Sequence, residues 1–121
     1  MLENSKCILI YGFKDEELEM LKMIKLKLIK VTPEMTSMRV KDIVDGIRIF
    51  TYKENMTEEK LVLFNNCESQ ELYVLIKFIK KMMPKVILAT VTPLTNEWTF
   101  EYLLSHLIKE KEWIESRQEG R

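Results

Sequence analysis

Glycine, proline and cysteine are scarce in this sequence, at 3, 3 and 2 of 121 residues, and histidine occurs once. Each scarcity removes a class of function. With so few glycines no GxGxxG or P-loop can be written, so a nucleotide phosphate lacks its backbone cradle. Two cysteines and one histidine fall short of the four ligands of a structural zinc, and no metal site or cofactor is expected. Net charge is missing too: Lys plus Arg equals Asp plus Glu at 19 each, and each half of the chain is balanced by itself. That leaves no basic surface for nucleic acid or an anionic membrane. No uncharged run approaches the roughly 20 residues of a membrane helix, and a start carrying Glu3 is not a signal peptide, so a cytoplasmic protein is expected.

What the chain does hold is apolar sequence, 46% of its residues. That is enough for the core of one domain over 1–121. The most informative stretch is Val86-Ile87-Leu88-Ala89-Thr90-Val91-Thr92-Pro93-Leu94-Thr95-Asn96-Glu97-Trp98. Its uncharged, β-branched first half reads as a strand over 86–91 covered on both faces, as in a parallel sheet. Thr92-Pro93 stops the strand, because proline has no N–H to give a neighbour. Thr95 or Asn96 caps the next helix, and from Trp98 onward Phe100, Leu103, Leu104, Leu107 and Ile108 recur at helical spacing.

In chain order, 7–11 is a strand, Gly12-Phe13 a turn, and 14–25 a helix with Asp15, Glu16 and Glu17 against its positive end. A strand over 27–31 carries Lys27 and Lys30, which mark it as a sheet edge. After Thr32-Pro33 a second helix begins near Thr36 with Val40, Ile43 and Val44 as its apolar stripe, stopping at Gly46. Residues 47–52 fit helix, strand or loop equally. The third strand is 61–64, followed by the loop Asn65-Asn66-Cys67 and a helix from Glu68 or Ser69 to Met82. Its Lys77, Lys80 and Lys81, with Lys85 beyond, stabilise a helix C-terminus. The tail 114–121 is polar and expected to fray.

The halves resemble each other. Ile8-Leu9-Ile10-Tyr11 and a turn before Asp15 parallels Leu61-Val62-Leu63-Phe64 and a turn before Ser69, with one inserted residue, and Val31-Thr32-Pro33 parallels Val91-Thr92-Pro93. Two β-α-β-α units, 6–46 and 61–113, follow. With a twofold axis along the strands they build a four-stranded parallel sheet of order 2-1-3-4 inside a three-layer α/β sandwich, the second and third helices on one face. Cys7 and Cys67 then lie near opposite ends of the sheet, too far apart for a disulfide.

In such sheets ligands bind beyond the strand C-termini where the order reverses. The candidate ligand-binding residues are therefore Gly12, Asn65, Asn66, Cys67, Thr92, Pro93 and Asn96. Two readings compete for them. Asparagines also serve as turn and cap residues, and Cys67 is either a nucleophile with a thiol pKa lowered by the helix N-terminus or a buried neutral thiol. No catalytic set converges, since His106 sits well along the last helix, away from Cys67. Trp98, Tyr102 and Trp113 widen the apolar arc of that helix and are candidate interface residues, for a homodimer or another protein partner.

The residues Leu63-Phe64-Asn65-Asn66, Ala89-Thr90-Val91-Thr92-Pro93 and Asn96-Glu97-Trp98, with Leu103-Leu104 and Glu110, resemble a family of short bacterial proteins known only as a domain of unknown function. The likeness runs over 6–113 and is strongest from Leu61 onward. Where that family shows Phe-Asn-Gly-Phe, this chain has Phe64-Asn65-Asn66-Cys67. The resemblance implies the α/β fold and brings no activity, cofactor or substrate. The expectation is a non-enzymatic module that binds a small ligand or a partner at the strand ends, the alternative a small thiol-dependent enzyme or redox protein using Cys67.

Overall fold

The structure is a computed structural model describing residues 6–54 and 57–119. The uncharged run Cys-Ile-Leu-Ile-Tyr forms β1 (Cys7–Tyr11), buried along its whole length. Gly12 turns the chain with a φ of 84°, a conformation an L side chain resists. Helix α1 (Asp15–Leu21) follows, its start held by the Lys14 N–H donating to the Glu17 carboxylate at 2.8 Å. Then come β2 (Leu28–Val31), a 3-10 turn at Pro33–Met35 and a short α2 (Val40–Val44). The second unit repeats the plan with β3 (Leu61–Asn65), α3 (Ser69–Met82), β4 (Ile87–Thr90), a 3-10 turn at Thr95–Glu97 and a long α4 (Phe100–Glu119). Among the described residues, no helix is long and apolar enough to cross a membrane.

The sheet order is β2-β1-β3-β4, as expected, but the sheet is mixed and not parallel. Strands β1 and β3 run antiparallel, with Leu9 opposite Leu63 and Cys7 opposite Asn65. Only the outer pairs, β1 with β2 and β3 with β4, are parallel. The twofold relating the units therefore stands perpendicular to the sheet. Either axis yields the same strand order from two right-handed β-α-β units, which is why the repeat left the direction open. The axis does change the layers. Residues of α2 and α4 share one core with Leu9 and Leu63, while α1 and α3 share the other with Ile8, Ile10, Val62 and Phe64; α2 and α3 are not partners.

The axis also removes the insertion from the repeat. Position for position, Cys7 matches Leu61, Tyr11 matches Asn65, and Gly12 matches Asn66, whose φ of 59° makes it the only described non-glycine residue in the left-handed region. On the α2/α4 face the axis passes a reciprocal pair of hydrogen bonds. The Val40 N–H donates to the Trp98 carbonyl at 3.0 Å and the Phe100 N–H to the Met38 carbonyl at 2.8 Å. This bridge between Arg39 and Thr99 locks the units together at the start of both helices. Phe100 is fully buried beside it, its ring 5.6 Å from that of Tyr11.

From that bridge α2 and α4 run in opposite directions, α2 toward the Asn65 end of the sheet and α4 toward the Gly12 end. Because α2 stops at the Asn65 end while β3 begins beside Gly12, the chain must travel back along the sheet between 46 and 60. Residues 47–52 belong to that return and form neither helix nor strand. The segment is tied by the Thr51 N–H to the Glu34 carbonyl at 2.9 Å and by Arg48 to the Ile43 carbonyl at 3.0 Å. At its far end Lys60 pairs with Glu17 of α1.

The antiparallel pairing also corrects the cysteine geometry. Cys7 lies opposite Asn65, so Cys67 is at the same end of the sheet, not the opposite one. The two thiols are free, and they pack into cores on different faces.

Candidate functional site

Reversal of β3 splits the expected ligand set between the two ends of the sheet. Gly12 is at one end, packed so closely that a Cβ there would sit 2.6 Å from the Glu59 carbonyl oxygen. The remaining candidates are at the other end, and no crevice joins the β1 and β3 turns. The switch-point site does not exist in this topology.

At the Asn65 end, however, four of the expected residues converge. Asn65, Thr92, Pro93 and Asn96 line one cavity of about 360 Å³, and Lys41, Val44 and Asp45 of α2 complete it over a floor that includes Val91. Local hydrogen bonding sets this geometry. The Thr92 N–H donates to the Thr95 hydroxyl at 2.9 Å and the Thr95 N–H to the Thr92 hydroxyl at 3.1 Å, while the Asn96 N–H donates to the Thr92 carbonyl at 2.9 Å. The threonines thus fasten the turn to itself and leave the Asn96 side chain turned inward. Its Oδ1 is buried without a hydrogen-bond partner, a costly state for an amide oxygen.

Charge at the rim comes from both units. Lys41 lies 2.9 Å from Glu97, and Arg39 stands 3.8 Å from the same carboxylate. The Lys41 hydrogen bond and charge hold the Glu97 carboxyl below its ordinary value. Asp45, one helical turn after Lys41, brings a carboxylate to the same wall. The wall therefore carries Lys41, already paired with Glu97, and Asp45, their Cβ atoms about 6 Å apart along the helix, with amides and a hydroxyl beside them. The α2 residues were missed in the sequence because a parallel sheet places α2 with α3. Their signal was the spacing of Lys41, Val44 and Asp45 on one helical face.

Asn66 and Cys67 do not line this cavity. Asn66 supplies the left-handed turn. Cys67 packs against the α1/α3 core with its thiol 3.8 Å from the Asn65 carbonyl, and burial, reinforced by the Glu71 charge, pushes that thiol up. This is opposite to the lowering that a nucleophilic thiol needs. Burial likewise pushes the Cys7 thiol up, against a hydrogen bond from Asn65. Among the described residues no group of three His, Cys, Asp or Glu is placed to hold a metal ion.

The pseudo-twofold generates a second cavity, of about 280 Å³, at the Gly12 end. Tyr11 stands where the first has Asn65, Thr36 replaces Asn96, and Glu101, Leu104 and Ser105 replace Lys41, Val44 and Asp45. The charge on the helix is inverted, and Lys53 from the return segment pairs with Glu101. Among the described residues the first cavity has no such strap, because α2 ends where α4 continues.

Of the three candidate interface aromatics, Tyr102 and Trp113 are on α4 and Trp98 just precedes it, packed partly against the α2/α4 core. Trp98 is half-buried, with its ring edge-on to Tyr102 at 4.8 Å and to His106 at 5.6 Å. Tyr102 and Trp113 are exposed, and the Arg117 guanidinium lies over the Trp113 ring at 4.8 Å. No curated protein and no solved structure matches the chain. Residues 60–114, which span the second unit from the start of β3 into α4, match the family described as a domain of unknown function (DUF3783).

Proposed function

We propose that the chain is a non-enzymatic binding module whose ligand occupies the cavity at the C-terminal ends of β3 and β4. The observation that carries this reading is the Asn96 Oδ1, buried and unpartnered on the wall of a cavity that four sequence-picked residues share with α2. Rotation of the Asn96 side chain toward the cavity would let a ligand N–H or O–H relieve that oxygen. Lys41, which shares its charge with Glu97, and Asp45 put both signs at the rim, so the ligand class is small, polar and amide-bearing or zwitterionic. The volume is at the lower end of small-molecule sites and suits something of amino-acid size.

Such a ligand stabilises the folded state in proportion to the logarithm of its concentration. A thermal-shift screen of amino acids and small amides against the wild-type protein tests the reading, with Asn96→Ala as the paired variant. A hit that raises the wild-type Tm and leaves Asn96→Ala unmoved supports the site. If all hits shift both proteins equally, or side-chain amide resonances of Asn65 and Asn96 stay fixed during titration, the assignment fails.

A further inference from the structure

The two free edges of the sheet are guarded differently. Strand β2 carries Lys30 on its exposed edge, with Lys27 just before it, and charge on an edge discourages another strand from adding. Strand β4 is Ile-Leu-Ala-Thr, without a charge from Val86 to Val91. Its inner hydrogen bonds identify what is left open. The Ile87 N–H donates to the Lys60 carbonyl and the Val91 N–H to the Phe64 carbonyl, each at 2.9 Å. Backbone groups alternate along a strand, so Leu88 and Thr90 turn theirs away from β3. On either side the edge is closed: Val86 uses its N–H on the Met83 carbonyl and its carbonyl on the Lys80 ammonium, and the Thr92 N–H is held by Thr95.

We propose that this edge pairs with β4 of a second copy of the chain, antiparallel about a twofold through Ala89. Leu88 then faces Thr90 of the second copy and Thr90 faces its Leu88. Each of these is a hydrogen-bonded pair exchanging both N–H···O bonds, which satisfies all four open groups per copy. Ala89 meets its own counterpart as the non-bonded pair, at a Cα separation of about 4.5 Å, where a small side chain fits.

Three features favour a second copy over an unrelated strand. The open window is its own complement under a twofold. A helix about 10 Å wide covers about two strands spaced at ~4.8 Å, so two helices cover each face of four strands and those of the second copy continue both layers at ordinary packing distance. Finally, α3 and its counterpart come to lie antiparallel. That brings Lys77 and Lys81 in the last part of one helix toward Glu68 at the start of the other, with opposed dipoles. At the β4 edge Leu88 with Leu107 and Ile114 of α4 lines a groove of about 290 Å³ whose rim carries both signs of charge, Lys111 and Glu115 among them, and which the second copy would cover. The product is a continuous eight-stranded sheet.

Light scattering over a concentration series, joined to two substitutions, tests this. The wild type is expected at twice the single-chain mass of 14.5 kDa. Thr90→Pro removes only an outward N–H and is expected to halve the mass with the circular dichroism unchanged. Lys30→Pro, the corresponding change on the β2 edge, is expected to leave the dimer intact. In the wild-type background Ala89→Cys is expected to form a disulfide-linked dimer on mild oxidation, mapped to position 89 by peptide mass spectrometry. A wild type that stays at one chain mass, or a dimer that survives in folded Thr90→Pro, overturns the proposal. Should Thr90→Pro fail to fold, the absence of an Ala89→Cys cross-link overturns it instead.

Discussion

Two glycines with nearly the same backbone angle provide an internal comparison for the direction of β3. Gly12 has φ +84° and Gly46 φ +89°. Placing alanine at either forces an L side chain into the left-handed region, at about 1 to 2 kcal/mol. At Gly46 nothing lies within 4 Å of the added Cβ, so that strain is the whole cost. At Gly12 the Cβ would stand 2.6 Å from the Glu59 carbonyl oxygen and 3.4 Å from the Lys60 Cα. Both are backbone atoms that cannot swing aside, and overpacking of this kind adds about 1 to 3 kcal/mol. Gly12→Ala is therefore expected to lose about 2 to 5 kcal/mol in all, and Gly46→Ala about 1 to 2. Urea denaturation with an unchanged m-value reads the difference as a shift in midpoint. The close approach of 59–60 to the β1 turn exists only because β3 starts at the end where β1 finishes. Equal losses in the two variants would refute the reasoning.

Four further outcomes follow from named contacts. Phe100→Ala empties a fully buried site beside the Arg39–Thr99 bridge and is expected to cost about 3 to 5 kcal/mol, against about 2 for the half-buried Trp98→Ala by proportion; equal losses in thermal melts would contradict the burial difference. Asn66→Gly is expected to be near neutral and Asn66→Ala to cost about 1 kcal/mol, because the position demands its φ of 59°; the reverse order in urea melts would assign the amide itself the main role. Glu17 combines an upward push from burial with stronger hydrogen bonds from Lys60 and the Lys14 N–H, which leave its carboxyl below its ordinary value. That stabilisation is present above the unfolded glutamate pKa of about 4.3 and is lost as pH falls through the lower folded value, so Glu17→Gln should lower Tm at pH 7 with the gap closing in acid; a gap independent of pH would contradict it. Burial of Cys67 predicts slow alkylation at neutral pH that accelerates as pH is raised past an elevated thiol pKa, and rapid stoichiometric modification at pH 7 would restore a reactive thiol.

How much of this was readable in the chain depends on which residues carried a signal. Periodicity located all four strands and the α1, α3 and α4 helices, and the lysines of β2 marked an edge. The repeat yielded the order 2-1-3-4, because strand order does not depend on which twofold relates the units. Direction does depend on it, and the repeat is compatible with both axes. Two clues pointed to the antiparallel choice. Aligning Gly12 with Asn66 removes the insertion and pairs the two residue types that tolerate positive φ. The long stretch between Gly46 and Leu61 is also far more chain than a parallel β-α-β return requires. For the cavity, Asn65, Thr92, Pro93 and Asn96 were found because they follow strand ends, which stay strand ends in either topology. Lys41 and Asp45 were not, since their approach depends on α2 sharing a face with α4. Gly12, Asn66 and Cys67 do not line the cavity: Gly12 is at the other end of the sheet, Asn66 supplies the left-handed turn and Cys67 packs against the α1/α3 core.

The pairing of β1 with β3 underlies the positions of the cavity, the return segment and the open edge. It is measured most directly by nuclear Overhauser contacts between Hα protons. The register makes Ile8 opposite Phe64 and Ile10 opposite Val62 the non-hydrogen-bonded pairs, whose Cα atoms approach to about 4.5 Å in an antiparallel ladder. Strong Hα–Hα contacts for both pairs are predicted. Their absence, with sequential-offset contacts of a parallel ladder in their place, would contradict the fold and with it the assignment of the Asn65 end as the site.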